Sequence, residues 1–200
     1  DLSDPTAPKQ VGELVMPGWV YHMEPRGDRL LGLGFDPAKP NGALNVSLFD
    51  VADATQPKLL DRVDFGGDWG QFAEDQDRIH KAFTVLDSLG LIFVPYSGWT
   101  SGTSSQPCGN YESGIQIVNF TKDDLVKRGN APARGTARRA FLHDSRLFAV
   151  SDVAVETFDI ANQDAPKAKA NLALATVVTK VVAVGDKVAR IGSDWYTSRT

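Results

Sequence analysis

Along much of the chain apolar and polar residues alternate with a period of two, the spacing of a strand that buries one face. In Gln10–Met16, Leu59–Phe65 and Ala168–Leu174 the fifth and seventh places are always apolar: Leu14 and Met16, Val63 and Phe65, Leu172 and Leu174. Polar Glu13, Arg62 and Asn171 hold the fourth place. Polar groups on the outer face suit an edge strand kept from pairing with strangers. Each run follows a copy of one nine-residue motif, at Asp1–Lys9, Asp50–Lys58 and Asp159–Lys167, with Asp first, Asp or Asn fourth and Pro-Lys last. An Asp ending a strand can accept from backbone two residues on, and Pro sets φ where the chain re-enters an extended run.

A second unit recurs between the copies. Arg26–Phe35, Asp87–Tyr96, His143–Asp152 and Gly185–Asp194 each put turn formers before a short apolar run, and each follows another apolar run at Trp19–Met23, Lys81–Leu86, Arg138–His143 or Lys180–Val184. These predict four hairpins. Third strands follow at Ala43–Val51, Gly114–Phe120 and Val153–Ile160, each running into the Asp motif or, at Asn119–Thr121, a degenerate form of it. The motifs start at 1, 50, 119 and 159, at intervals of 49, 69 and 40. Four short antiparallel strands in units of roughly fifty residues are the period of propeller blades.

The expected fold is therefore all-β: a β-propeller of four-stranded antiparallel blades, with three full blades at 17–66, 67–130 and 131–175 and partial ones at 1–16 and 176–200. Asp1–Met16 is expected as an outer strand, and Thr176–Asp194 as the opening of a fourth blade. A β-solenoid would need a tighter, more uniform period, and an immunoglobulin-like sandwich would not repeat its strand order. Lys122–Arg128 is the one short helix candidate. Because Asp1 opens inside a copy of the motif, upstream sequence is expected to have been removed, and a signal segment could have gone with it. The chain is then a segment of a larger propeller, the alternative being a single propeller domain in which the last residues supply a strand that meets Asp1–Met16 and closes four blades.

Residues 1–36 (DLSDPTAPKQVGELVMPGWVYHMEPRGDRLLGLGFD), followed by LNVSLFDVADATQPKLLDRVDFG at 44–66, resemble the secreted β-propeller domain family found in bacteria and archaea. His80–Phe83 and Ala137–Asp152 resemble later blocks of that family. The similarity spans most of residues 1–175 and is weakest across Ser97–Ser113 and over Trp195–Thr200. It implies an exported propeller, free or lipid-anchored, and carries over no activity and no catalytic residues.

Composition narrows the choices. The chain has 200 residues, 42% hydrophobic and 23% charged, with a formal net charge of −4: enough for a core, and without the basic excess that a nucleic-acid partner would need. It contains no apolar run of about eighteen residues to span a bilayer. Cys108, the single cysteine, has neither a base nor a cation beside it and reads as a loop thiol. The sequons at Asn45 and Asn119 fall in predicted strands and are discounted.

Candidate chemistry is sparse. His22, His80 and His143 lie far apart with no partner at a ligand spacing, so no metal and no cofactor are expected. Aligning the hairpins on Arg29, Gly90, Arg146 and Lys187 puts His22, Arg139 and Lys180 at one place on the first strand, with Lys81 two residues earlier. Four inner strands could aim these basic groups at an axial anion site, or they are strand-end charges paired with acids. The insertion Ser97–Ser113 carries Trp99 and Tyr111, amphipathic rings that suit glycans or proteins. Gly66–Arg78 reads as a second loop, with Trp69 and the acids Glu74, Asp75 and Asp77 in a spacing unlike an EF-hand.

The function expected is a non-catalytic extracytoplasmic scaffold that binds a protein or a cell-envelope polysaccharide through loops on one face. The alternative is a hydrolase or lyase at the channel mouth, with Glu24 or Glu112 as acid/base beside His22 or His80. Fold alone does not choose between them.

Overall fold

The computed structural model describes residues 1–39, 44–73, 78–102, 108–174 and 178–192. Fifteen strands and little else make up the regular structure of the described residues. Strands β1 (Trp19–Arg26), β2 (Arg29–Phe35), β3 (Leu44–Asp50) and β4 (Lys58–Phe65) form an antiparallel meander in chain order. The second sheet holds β5 (Trp69–Phe72), β6 (Thr84–Leu86), β7 (Leu91–Thr100), β8 (Asn110–Phe120) and β9 (Leu125–Pro132). There β5 and β6 share one edge of β7, so the inner strand is interrupted by an insertion that carries the short helix α1 (Ile79–Ala82). The third sheet repeats the meander with β10 (Ala137–His143), β11 (Arg146–Ser151), β12 (Ala154–Asp159) and β13 (Lys167–Ala173). A hairpin of β14 (Val178–Val184) and β15 (Lys187–Gly192) follows.

The alternation along β7 shows how the sheets stack. Its even residues Ile92, Val94 and Tyr96 join Leu33, Val46, Leu48 and Phe65 in a core between the first two sheets. Its odd residues Leu91 and Phe93 join Ile117, Ala140, Leu147 and Phe158 in a core between the second and third. A strand buried on both faces reads as a continuous apolar run, and LIFV at 91–94 is one. Each fully buried side chain of this size stabilises the stack by roughly 1.5–3 kcal/mol.

The motif turns work by local hydrogen bonds. The first-place Asp1, Asp50 and Asp159 accept from the backbone N–H of Ser3 (2.9 Å), Ala52 (3.0 Å) and Ala161 (2.9 Å). The fourth-place Asp4, Asp53 and Asn162 repeat the device with Thr6 (3.0 Å), Thr55 (2.9 Å) and Asp164 (3.1 Å). Two consecutive Asx turns thus link third strand to fourth. The second and third of these motif turns also dock on a glycine of the segment that precedes their own sheet. A Cβ at Gly12 would collide with the Ala54 carbonyl, and one at Gly129 would lie 2.5 Å from the Asp164 carbonyl. Where the motif is degenerate, at 119–124, the facing strand carries Asp61 instead, and its carboxylate accepts from Leu125 N–H at 2.7 Å.

Three local expectations are corrected. Lys122–Arg128 is not helical, because Leu125, Val126 and Lys127 pair with Phe120, Asn119 and Val118 of β8. Seven residues are too few to hold a helix unaided, whereas the free edge of β8 supplies backbone partners. Asp1–Met16 is no strand: Asp1 and Lys9 bond to each other, but no described strand pairs with residues 10–16. Lys81 sits on α1 rather than on a first strand, because Ile79 and Ala82 turn their side chains into the core between the first two sheets.

Candidate functional site

Meander topology sorts the connections into two ends. The motif turns and the tight hairpins 26–29, 143–146 and 184–187 lie at one end. The end of β7 at Thr100, the start of β8 at Asn110 and the links between sheets, 66–68 and 133–136, lie at the other. At this second end the backbone of Gly66 (φ +92°) and Gly67 (φ +69°) turns back on itself in the left-handed region open to glycine. Gly98 has no side chain where the Gly66 carbonyl packs against it. Asp68 N–H then donates to the Trp99 carbonyl at 3.0 Å, and β5 enters register with Trp69 opposite Trp99.

Across the next pair of strands Trp99 stands opposite Tyr111, ring centroids 5.3 Å apart and tilted by 58°. Residues directly opposite share a face. Trp69, Trp99 and Tyr111 therefore form one row across three strands. They are not packed away: Trp69 is 72% and Trp99 53% exposed. One step inward on the same face the row is polar, with Gln71, Ser97 and Ser113 in register. Gln71 Nε2 donates to Ser97 Oγ at 3.2 Å, and Ser113 Oγ accepts from Ala137 N–H at 2.9 Å. Beside the rings, Asp68 Oδ2 accepts from Ser101 N–H at 2.6 Å, and that bond holds the carboxyl below its ordinary range.

Residues 1–163 match the beta propeller domain family. The chain belongs to that family. Relatives of this propeller include an uncharacterized protein of Archaeoglobus fulgidus, 28% identical over 160 residues, which cover 80% of this chain and 22% of the relative. Another is an uncharacterized protein of Methanocaldococcus jannaschii, 32% identical over 96 residues, 48% of this chain and 14% of the relative. This chain thus spans well under two thirds of the relatives it matches.

The propeller's inner strands place the basic candidates. His22, Arg139 and Lys180 stand opposite Leu33, Val150 and Ile191, four residues past Arg29, Arg146 and Lys187, and each follows a break in register. Such bulges re-aim side chains. Two of the skipped residues reach the second blade: the Tyr21 ring lies 5.2 Å from Phe72, and Arg138 Nη1 donates to Ala73 O at 2.8 Å. The four groups are not gathered by any described contact. His22 Nε2 is 3.0 Å from Glu24 Oε2, Arg139 Nη1 donates to Arg138 O, and Lys81 is exposed on α1. Lys180 belongs to a hairpin whose extended pairing is internal.

Glu24 bridges His22 and Arg26, whose Nη1 donates to it at 3.0 Å. Burial pushes its carboxyl up, but the hydrogen bonds from His22 and Arg26 outweigh that and hold it below its ordinary value. Glu112 lies against Tyr96, whose hydroxyl is pushed far up by burial first and then by the carboxylate's charge and hydrogen bond. His80 is exposed on α1 and His143 at the end of β10. Among the described residues no three His, Cys, Asp or Glu side chains gather as a metal site. Glu74, Asp75 and Asp77 lie outside the described residues. Cys108 is exposed, and no described helix is long and apolar enough to cross a membrane. Asn45 is 2% exposed and so closed to glycosylation.

Trp69 is the member of the row that sequence reading separates from the others. Its segment reads as a loop, and the four residues Trp69–Phe72, one of them a glycine, carry too little alternation to mark a strand. The signal was the Gly-Gly pair at 66–67, a turn placed to return the chain onto a neighbour.

Proposed function

We propose that this propeller is a non-catalytic binding module that works outside the cytoplasm and engages a protein or a cell-envelope polymer. The observation that carries the reading is the row of Trp69, Trp99 and Tyr111. Folding alone does not demand three aromatic rings in register on exposed strand ends, and rigid strands hold them at little entropic cost on binding. The extracytoplasmic setting rests on the resemblance to exported propellers; fractionation of cells that express the full-length protein tests it. Binding by the full chain is tested with Trp99→Ala and Arg139→Ala at low and high salt. Ring contacts persist as ionic strength rises, whereas anion capture by the basic side chains His22, Lys81, Arg139 and Lys180 weakens. The assignment is dropped if neither substitution alters the binding of any ligand found.

A second reading, a hydrolase or lyase, has one observation behind it: His22 and Glu24 are within hydrogen-bond reach. Two features weigh against it. The lowered Glu24 carboxyl is a poor proton donor at neutral pH. Both its oxygens are also engaged, one by His22 and one by Arg26. Loss of a glycan- or ester-cleaving activity in Glu24→Gln, with folding intact, would revive it.

A further inference from the structure

The aromatic row has a chemistry more specific than stickiness. Strands lie about 4.8 Å apart, so three rings on adjacent strands make a ledge on the order of 10 Å long, more than one small ring can cover. A polar row runs beside it: Gln71, exposed, with its amide nitrogen on Ser97 Oγ. The pairing of flat apolar faces with a side-chain amide fits a ligand that is itself two-faced, with C–H groups on one side and hydroxyls at the edge. A pyranose ring is such a ligand. A protein anchor would instead call for a desolvated pocket, and here the rings stand out from the surface, Trp69 at 72% exposure.

Charge restricts the class further. Asp68 begins the turn into Trp69, and its carboxyl is held in the charged form by the Ser101 N–H. An acidic polymer laid along the ledge would run against this charge. We infer that the Trp69–Trp99–Tyr111 row is a stacking platform for a neutral polysaccharide, with Gln71 as the neighbouring hydrogen-bonding group. This inference rests on the binding-module reading above and narrows its ligand.

The test is gel retardation and tryptophan fluorescence of the full chain with hydroxyethylcellulose as the neutral probe and polygalacturonate as the acidic one. The wild-type chain is expected to be retarded by the neutral glucan, with Trp69→Ala and Trp99→Ala each weakening it at least tenfold and 1 M NaCl leaving it unchanged. Both tryptophans are more than half exposed, so melting temperatures should stay near wild type; Trp69→Phe, which keeps a ring, should retain most of the binding. Asp68→Asn should raise the weak response to polygalacturonate severalfold. The inference falls if the folded wild-type chain is not retarded by the neutral glucan, or is retarded equally after both Trp→Ala substitutions. If a protein ligand proves sensitive to Trp99→Ala while no glycan binds, the glycan platform falls and the binding module stands.

Discussion

The backbone N–H of Gly129 in β9 donates to the carbonyl of Gln163 at 2.9 Å, tying the outer strand of the second blade to the motif turn of the third. The contact leaves no room for a side chain, since a Cβ at 129 would meet the Asp164 carbonyl at 2.5 Å. Gly12 stands in the same relation to Ala54 in the first blade's motif turn. The nine-residue motif is thus both a turn within its own blade and a foot on the segment before that blade.

Gly129→Ala should destabilise the chain by about 1–3 kcal/mol, the usual cost of forcing extra volume into a packed contact. Urea unfolding followed by circular dichroism measures it. An unchanged midpoint would mean that the turn gives way freely and that the docking is incidental.

Asp50→Ala removes the acceptor of Ala52 N–H and a partner of Arg29, whose Nη1 donates to Asp50 at 2.9 Å. Loss of the cap should cost on the order of 1 kcal/mol. EDTA should leave the melting temperature of both wild type and variant where it was. A fall on adding EDTA that disappears in Asp50→Ala would make the motif a cation loop.

Acid should weaken the fold in a defined direction. Asp4 and Asp53 are held below the ordinary carboxylate range by hydrogen bonds from Thr6 and Thr55, and Asp159 by bonds from Ala161 and Lys169. A group with a lowered folded pKa contributes stability above its unfolded pKa and loses it as pH falls through the folded value. Melting temperature should therefore be flat near neutrality and drop below about pH 4, where model carboxylates titrate. Asp53→Asn should flatten part of that drop. A profile unchanged by this substitution would detach the motif from acid sensitivity.

Phe93 is fully buried between the second and third blades. Phe93→Ala should cost about 3–5 kcal/mol through lost burial and the cavity left behind. Differential scanning calorimetry would show it; a loss below about 1 kcal/mol, the scale of a surface change, would mean that the blades do not depend on this interface.

The sequence by itself carried the repeating unit. The Asp and Pro-Lys punctuation and the period-two runs are local signals, produced by backbone bonds spanning two or three residues and by side chains pointing alternately up and down. For that reason hairpins such as Arg26–Phe35 and His143–Asp152 were legible with their turns. Where such signals compete with a neighbour, tertiary structure decided. Residues 122–128 carry no strong pattern of either kind, and the unpaired edge of β8 made a strand of those from Leu125 on; residues 10–16 alternate like a strand, yet no described strand pairs with them. The row of rings shows the limit most plainly. Trp99 and Tyr111 stand out in one segment, but Trp69 joins them from 30 positions away because Gly66 and Gly67 reverse the chain and Gly98 admits the returning backbone. Register between distant strands is set by such close approaches, which only the folded chain brings about.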